Sequence, residues 1–137
     1  MLEDTLECAC LNLRAATRRV TRRYDETLAP SGLSISQFSM MSFISAKPSW
    51  GVGELAERLD LDMSTATRNL RPLVVGGYVT MRAGSLDARR REVRMTAKGS
   101  RALEKALELW RQAQSETLRG LGERRTRELL SLLATLR

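Results

Sequence analysis

The chain has 137 residues, no histidine, two cysteines and a formal net charge of +7 from 23 basic and 16 acidic side chains. That length suits one domain with one sizeable core, and an apolar content of 42% excludes disorder as the default. Without histidine the commonest general base and metal ligand are missing. There is also no Gly-rich phosphate loop, no G-x-S-x-G elbow and no metal-ligand spacing around the cysteines, so no enzyme, catalytic residue, cofactor or metal is expected.

The acidic start "MLEDTLECAC" lacks the plan of a signal peptide, and no apolar run approaches the roughly 18 residues of a membrane span. The expectation is a cytoplasmic protein, away from membranes, with reduced thiols. Residues 62–101 hold nine basic and three acidic side chains, whereas the rest holds fourteen and thirteen. Nearly all the excess charge lies in one contiguous third, which points to a polyanion-binding surface.

In chain order, residues 4–28 read as one long helix. Leu6, Cys10, Leu13, Thr17, Val20, Tyr24 and Leu28 recur at three- and four-residue steps, and "APSG" (29–32) stops it. Ser34 with Gln37 forms a capping box for a second helix through "FSMMSFI", which "KPSWG" (47–51) ends. "VGELAERLD" (52–60) predicts a short third helix that buries Leu55, Ala56 and Leu59. "STATRNLRPLV" (64–74) predicts a fourth, ended by Gly76 and Gly77. "YVTMRAG" and "EVRMT" alternate as two strands joined by "SLDARRR", with Val79, Met81, Val93 and Met95 on one side. Thr96 caps a fifth helix running to about Leu118, with a stripe of Leu103, Leu107, Trp110, Gln114 and Leu118. "ERRTRELLSLLATL" makes a sixth. The fold class is mainly α with a small β-hairpin, in the order α-α-α-α-β-β-α-α.

Two short helices and a basic hairpin meet the demands of a winged helix-turn-helix on double-stranded DNA. The groove-entering helix needs short polar side chains at its N-terminal end, here Ser64, Thr65 and Thr67, and its free N–H groups suit a phosphate. The bland alternative for Ser64 and Thr65 is N-capping, which does not exclude DNA contact. Arg68 can read a guanine edge bidentately, and Arg71 suits a phosphate. Pro72 predicts a bend or an early end to the groove-facing part. At the hairpin tip Asp87 can pair with Arg89 and orient it for the minor groove, where negative potential is concentrated. Arg90 and Arg91 suit the flanking backbones. A merely solvated charge run is the rival reading, and the adjacent helix-turn-helix outweighs it.

The run 53–99, with "ELAERL", "STATR", "GGYV", "DAR" and "MTAKG", resembles the MarR family of bacterial transcriptional regulators, and the likeness extends over nearly the whole chain. Pro72 and Gly51 depart from it, standing where an ordinary helix residue and a Ser or Thr cap are usual. The resemblance implies a single domain over 1–137, with residues 34–99 as the winged helix-turn-helix and 1–33 and 100–137 as dimerisation helices. It further implies a homodimer on a pseudo-palindromic operator, acting as a repressor released by an effector. The apolar stripes of the first, fifth and sixth helices point independently to a second copy.

Family members respond to small aromatic ligands or to cysteine oxidation. The first helix resembles that of the organic-hydroperoxide sensors (OhrR), in which a reactive cysteine lies fourteen residues before a tyrosine, as Cys10 does before Tyr24. Ile35 and Phe38 stand where those sensors carry tyrosines. Cys10 is therefore a candidate redox thiol that the helix start and Arg14 would favour as thiolate, or else it is core packing beside Leu6 and Leu13. Cys8 lies about 200° round the helix from it, against an intrahelical disulfide. Phe38, Met41, Trp110 and Arg14 are candidates for a pocket holding a small aromatic or carboxylate effector; a solvated row, with Arg14, Arg18 and Arg22 paired to Glu104 or Glu108, is the other reading. A winged-helix module that docks on proteins and binds nucleic acid weakly remains the rival of another class.

Overall fold

The computed structural model describes residues 1–84, Leu86 and 89–136. Its first two helices are α1 (Leu2–Leu6) and α2 (Ala9–Leu28), so the single helix expected over 4–28 is interrupted at Glu7 and Cys8. The cause is local. Cys8 is extended at φ −65°, ψ 113°, and the Asn12 side-chain amide donates to the Leu6 and Cys8 carbonyls at 2.7 and 3.0 Å. A side chain thus satisfies the Leu6 carbonyl, which a continuous helix would have bonded itself, while the Cys8 carbonyl also keeps its helical bond from Asn12 N–H at 3.1 Å. At the far end, Gly32 turns the chain in the left-handed region at φ +77°. Helix α3 (Ile35–Ile44) opens with the capping box that its sequence predicts: Gln37 N–H donates to Ser34 Oγ at 3.2 Å, and Ser34 N–H to Gln37 Oε1 at 2.9 Å.

Beyond α3 come β1 (Trp50–Gly51), α4 (Val52–Arg58), α5 (Met63–Val75), β2 (Val79–Ala83) and β3 (Arg91–Met95). The sheet is antiparallel in the order β1-β3-β2, with Trp50 opposite Val93 and Met81 also opposite Val93. A third strand therefore joins the expected hairpin. Two residues carry no periodicity, and Trp50 is instead anchored by its ring, whose Nε1–H donates to the Ile44 carbonyl at 3.2 Å. Helix α5 runs through Pro72 to Val75, so the proline does not end the helix. Proline withholds one donor, while Gly76 N–H still reaches the Pro72 carbonyl at 2.9 Å and buried Leu70 and Leu73 hold the helix down. It closes in a Schellman motif, with Gly77 N–H on the Val74 carbonyl at 3.0 Å and Tyr78 N–H on that of Leu73 at 2.9 Å.

The core gathers Leu28, Met41, Ile44, Leu55, Leu70, Leu73, Val79 and Val93, all fully buried. Helix α6 (Ala97–Leu118) closes it with small residues, Ala106 and Ala113, where α2 crosses; Leu103, Leu107 and Trp110 pack at the margin. Helix α7 (Gly122–Thr135) buries none of its residues. Its Leu130 and Leu132 stand 56% and 66% exposed, and Leu6, Leu11 and Val20 are exposed at the opposite terminus.

One contact joins the sheet to α6. Thr96 Oγ1 accepts from Gly99 N–H at 3.0 Å, capping the helix, and also reaches the Gly77 carbonyl at 2.6 Å. A Cβ on Gly99 would land on the Tyr78 carbonyl oxygen and within 2.5 Å of Met95 Sδ. Backbone cannot retreat there without moving β2. Gly99→Ala is expected to lower stability by about 2–3 kcal/mol, read as an earlier urea midpoint with an unchanged slope.

Candidate DNA-binding interface

Successive residues of a helix turn by about 100°. On α5 this sets Ser64, Thr67, Arg68 and Arg71 on one exposed face, opposite the buried Ala66, Leu70 and Leu73. Thr65 sits at the flank, half-buried, and its Oγ1 accepts from Arg68 Nη2 at 3.4 Å. The sequence therefore placed these polar residues correctly on a common element, and the buried leucines explain why they face outward.

The helix start differs from the expectation. Asp62, not Ser64 or Thr65, is the N-cap: its Oδ1 accepts from Thr65 N–H at 2.7 Å and from Ser64 Oγ at 2.8 Å. Those bonds, the backbone one foremost, hold its carboxyl below the usual range. A carboxylate thus fills the position at which a DNA phosphate was expected to meet free N–H groups. The signal was present in the sequence, since Asp three residues before Thr at a helix start is a capping pattern.

Beside α5 the hairpin stands up as a wing. Arg91 heads β3 opposite Ala83, while Arg89 and Arg90 are exposed in the turn, where Gly84 N–H donates to the Arg90 carbonyl. Asp87, and hence its proposed pairing with Arg89, lies outside the described residues. The wing, α5 and the start of α4 enclose an open cleft of about 980 Å³ whose walls include Thr67, Met63, Arg89, Arg90, Glu54 and Glu57. Glu54 takes Lys47 as an ion partner and accepts Gly51 N–H at 3.4 Å, so α4 keeps the acidic half of a capping box although Gly51 has no side chain. The Lys47 ammonium, first among its neighbours, holds the Glu54 carboxyl low, and Arg90 adds to this. Arg82 and Arg94, opposite Glu92 and Thr80 on the outer face of the hairpin, enlarge the basic surface. Their alternation with Met81 and with Val93 and Met95 was the available sign.

The remaining candidates lie elsewhere. Phe38 and Met41 are buried, and Phe38 stacks on Trp110 with centroids 5.8 Å apart and planes at 18°. In the single chain Phe38 and Met41 belong to the buried core, and Trp110 packs half-buried against it. Arg14 is exposed on α2, and among the described residues no ion pair ties Arg14, Arg18 or Arg22 to Glu104 or Glu108. Cys10 is exposed in the first turn of α2 and lies outside the buried core of the single chain, with Leu6 and Leu13 exposed as well, and Cys8 is half-buried at the helix cap. Tyr24 is buried and its hydroxyl donates to Gln114 Oε1, fourteen residues and thus about 21 Å along the helix from Cys10. Among the described residues no cluster of His, Cys, Asp and Glu could hold a metal ion, and no helix is long and apolar enough to cross a membrane.

A polar-faced helix, a second helix packed behind it and a basic antiparallel hairpin define a winged helix-turn-helix DNA-binding protein. The profile of the IclR helix-turn-helix domain matches residues 38–82, the segment from α3 to β2. The transcriptional regulator MosR of M. tuberculosis, in complex with DNA, is 41% identical, with 93% of each chain covered and a TM-score of 0.83. CouR, a transcriptional repressor bound to a 23-mer DNA duplex, is 26% identical over 99% of this chain and 96% of its own, with a TM-score of 0.88. The transcriptional regulator BilQ of Clostridium symbiosum is 28% identical over 109 residues, 80% of this chain and 76% of BilQ. The chain belongs to the MarR family of winged helix-turn-helix regulators, a non-enzymatic family, and is a DNA-binding transcriptional regulator.

The Asp62 cap sets a pH dependence. Its carboxyl titrates lower in the folded chain than in the unfolded one, so its contribution is present above the unfolded value near pH 4 and is lost as pH falls through the folded value. Asp62→Ala is therefore expected to melt earlier than the parent at pH 7, with a smaller gap well below the unfolded value, at about pH 2. Circular dichroism melts at both pH values check this; an equal gap at both would assign the loss to something other than the charged cap.

Proposed function

We propose that the chain works as a homodimeric repressor on a pseudo-palindromic double-stranded operator and is released by a small-molecule effector. The observation that carries the reading is the juxtaposition of the exposed face of α5 with the basic wing. In this reading Ser64, Thr65 and Thr67 approach the major-groove edge, Arg68 reads a base and Arg71 meets a phosphate. Arg89, paired with Asp87, enters the minor groove, while Arg90 and Arg91 take the flanking backbones. The exposed leucines of α7, with Leu6, Leu11 and Val20, supply the face for a second copy; residues 1–33 and 100–137 then dimerise, and 34–99 bind DNA. The term repressor is supported by CouR, and the exposed Arg14 with its neighbours Arg18 and Arg22 suits a carboxylate effector.

Arg68→Ala is expected to cost about 1–3 kcal/mol on the preferred duplex and to relax choice at one base pair, while Arg90→Ala weakens all duplexes alike and lowers the salt slope by about one. Fluorescence anisotropy against salt measures both. The parent should lose roughly three orders of magnitude or more in affinity between about 50 and 200 mM salt, with two chains per duplex. A shallow slope would instead favour the protein-docking rival.

A second reading is favoured by the exposure of Cys10 in the first turn of α2: release by organic hydroperoxide. The thiolate would attack the peroxide, forming a sulfenic acid and expelling an alcohol. Cys10→Ser should then bind DNA normally and ignore peroxide, and a variant that still lets go on peroxide treatment rules the thiol out.

A further inference from the structure

The first turn of α6 grips the last turn of α5. Besides the Thr96 bonds already described, Lys98 Nζ donates to the Gly76 carbonyl at 2.7 Å. Its stem passes over Gly77, where a side chain would stand 3.7 Å from Lys98 Cδ, and its ammonium lies 5.2 Å from the centroid of the Tyr78 ring. Gly76 is the C-cap of α5. A cation there meets both an orphan carbonyl and the negative end of the helix.

We propose that Lys98 is a positioning residue for DNA recognition: standing in the first turn of α6, it fixes the angle of α5 and so the placement of the base-reading side chains. The proposal rests on the assignment of α5 as the reading helix. Ser64 lies twelve residues from Gly76, about 18 Å along the axis. A swing of about 10° at the Gly76 end displaces Ser64 by about 3 Å, more than a hydrogen bond tolerates. Thr96 and Gly99 set the close approach of backbone to backbone, whereas Lys98 is exposed and adds one directed bond on the outer side of the joint. The same 18 Å keeps its ammonium away from the groove-entering end of α5, and its bond to Gly76 holds it there. Lys98 thus acts through α5 rather than on DNA. It also connects α5 to the long helix that leads toward the proposed dimer face.

The test uses the full chain and two duplexes: one recovered by the parent protein from a random-sequence pool, and a scrambled duplex of equal composition. Lys98→Met keeps the stem over Tyr78 and removes the ammonium. It is expected to lower the preference between the duplexes about tenfold, with the salt slope unchanged; Lys98→Arg, which can still donate to Gly76, restores most of the preference. Equal weakening on both duplexes with a shallower salt slope would make Lys98 a phosphate contact and overturn the proposal. An unchanged preference in Lys98→Met overturns it as well, as does a loss that Lys98→Arg fails to restore. If the parent recovers no preferred duplex, the assignment of α5 as reading helix falls first and the proposal falls with it, which separates the two failures.

Discussion

The DNA-facing half of this protein hangs from one backbone approach, Gly99 against the Tyr78 carbonyl. Strand β3 ends at Met95, Thr96 caps, and α6 begins at Ala97, so no slack separates the sheet from the long helix. The Schellman turn at Gly77 delivers Tyr78 to the same place from the other side, with Thr96 N–H on its carbonyl at 3.0 Å. The end of α5, the hairpin and the start of α6 therefore meet at one joint. A rearrangement that tilts α6 is felt at α5 without any intervening loop to absorb it, because packed joints have discrete arrangements rather than continuous ones.

The electrostatics are less simple than a basic patch. The surplus of positive charge over residues 62–101 suggests attraction alone, yet the structure sets acids among the arginines. Asp62 sits on the N-terminus of α5, and Glu54 and Glu57 face the cleft together with Arg89 and Arg90. Asp62 holds Thr65 N–H and Ser64 Oγ, and Glu54 holds Lys47 and Gly51 N–H, so these donors are already placed in the free protein. In the proposed complex the exposed arginines would supply affinity for any duplex, and the acids would penalise wrong placements, giving specificity rather than strength.

What was legible in the sequence follows what is local. The Ser34–Gln37 box, the Thr96 cap and the Gly76–Gly77 stop are short-range devices, and all three sit where their residues announced them. The polar face of α5 was also readable, since one helical period sorts Ser64, Thr67, Arg68 and Arg71 from Ala66, Leu70 and Leu73. The misses have different origins. The break at Cys8 goes with a side chain four residues on, Asn12, whose amide takes the Leu6 carbonyl in a way that periodicity does not reveal. Strand β1 exists only because β3 offers it an edge. The packing of Phe38 on Trp110 joins two helices far apart in sequence, a contact that periodicity along one helix does not reveal. The Asp62 cap, by contrast, is a local device, since an aspartate carboxylate at a helix start outcompetes the hydroxyls that follow it.

Helix α7 adds a last constraint. Fourteen residues are near the lower limit at which a helix persists in water by itself, and its i,i+4 pairs, Arg124 with Glu128 and Arg127 with Glu123, are exposed and contribute little. Its stability must come from burying leucines, and within one chain α6 covers only its base. In the proposed dimer the same leucines that complete α7 also set the separation of the two α5 helices. Half-sites one DNA turn apart, about 34–36 Å, require that separation to be fixed. Folding of the C-terminal helix, association of the two copies and choice of operator spacing are then one coupled equilibrium, so that an apolar substitution on α7, remote from DNA, acts on which sites the protein reads as well as on how stably it folds.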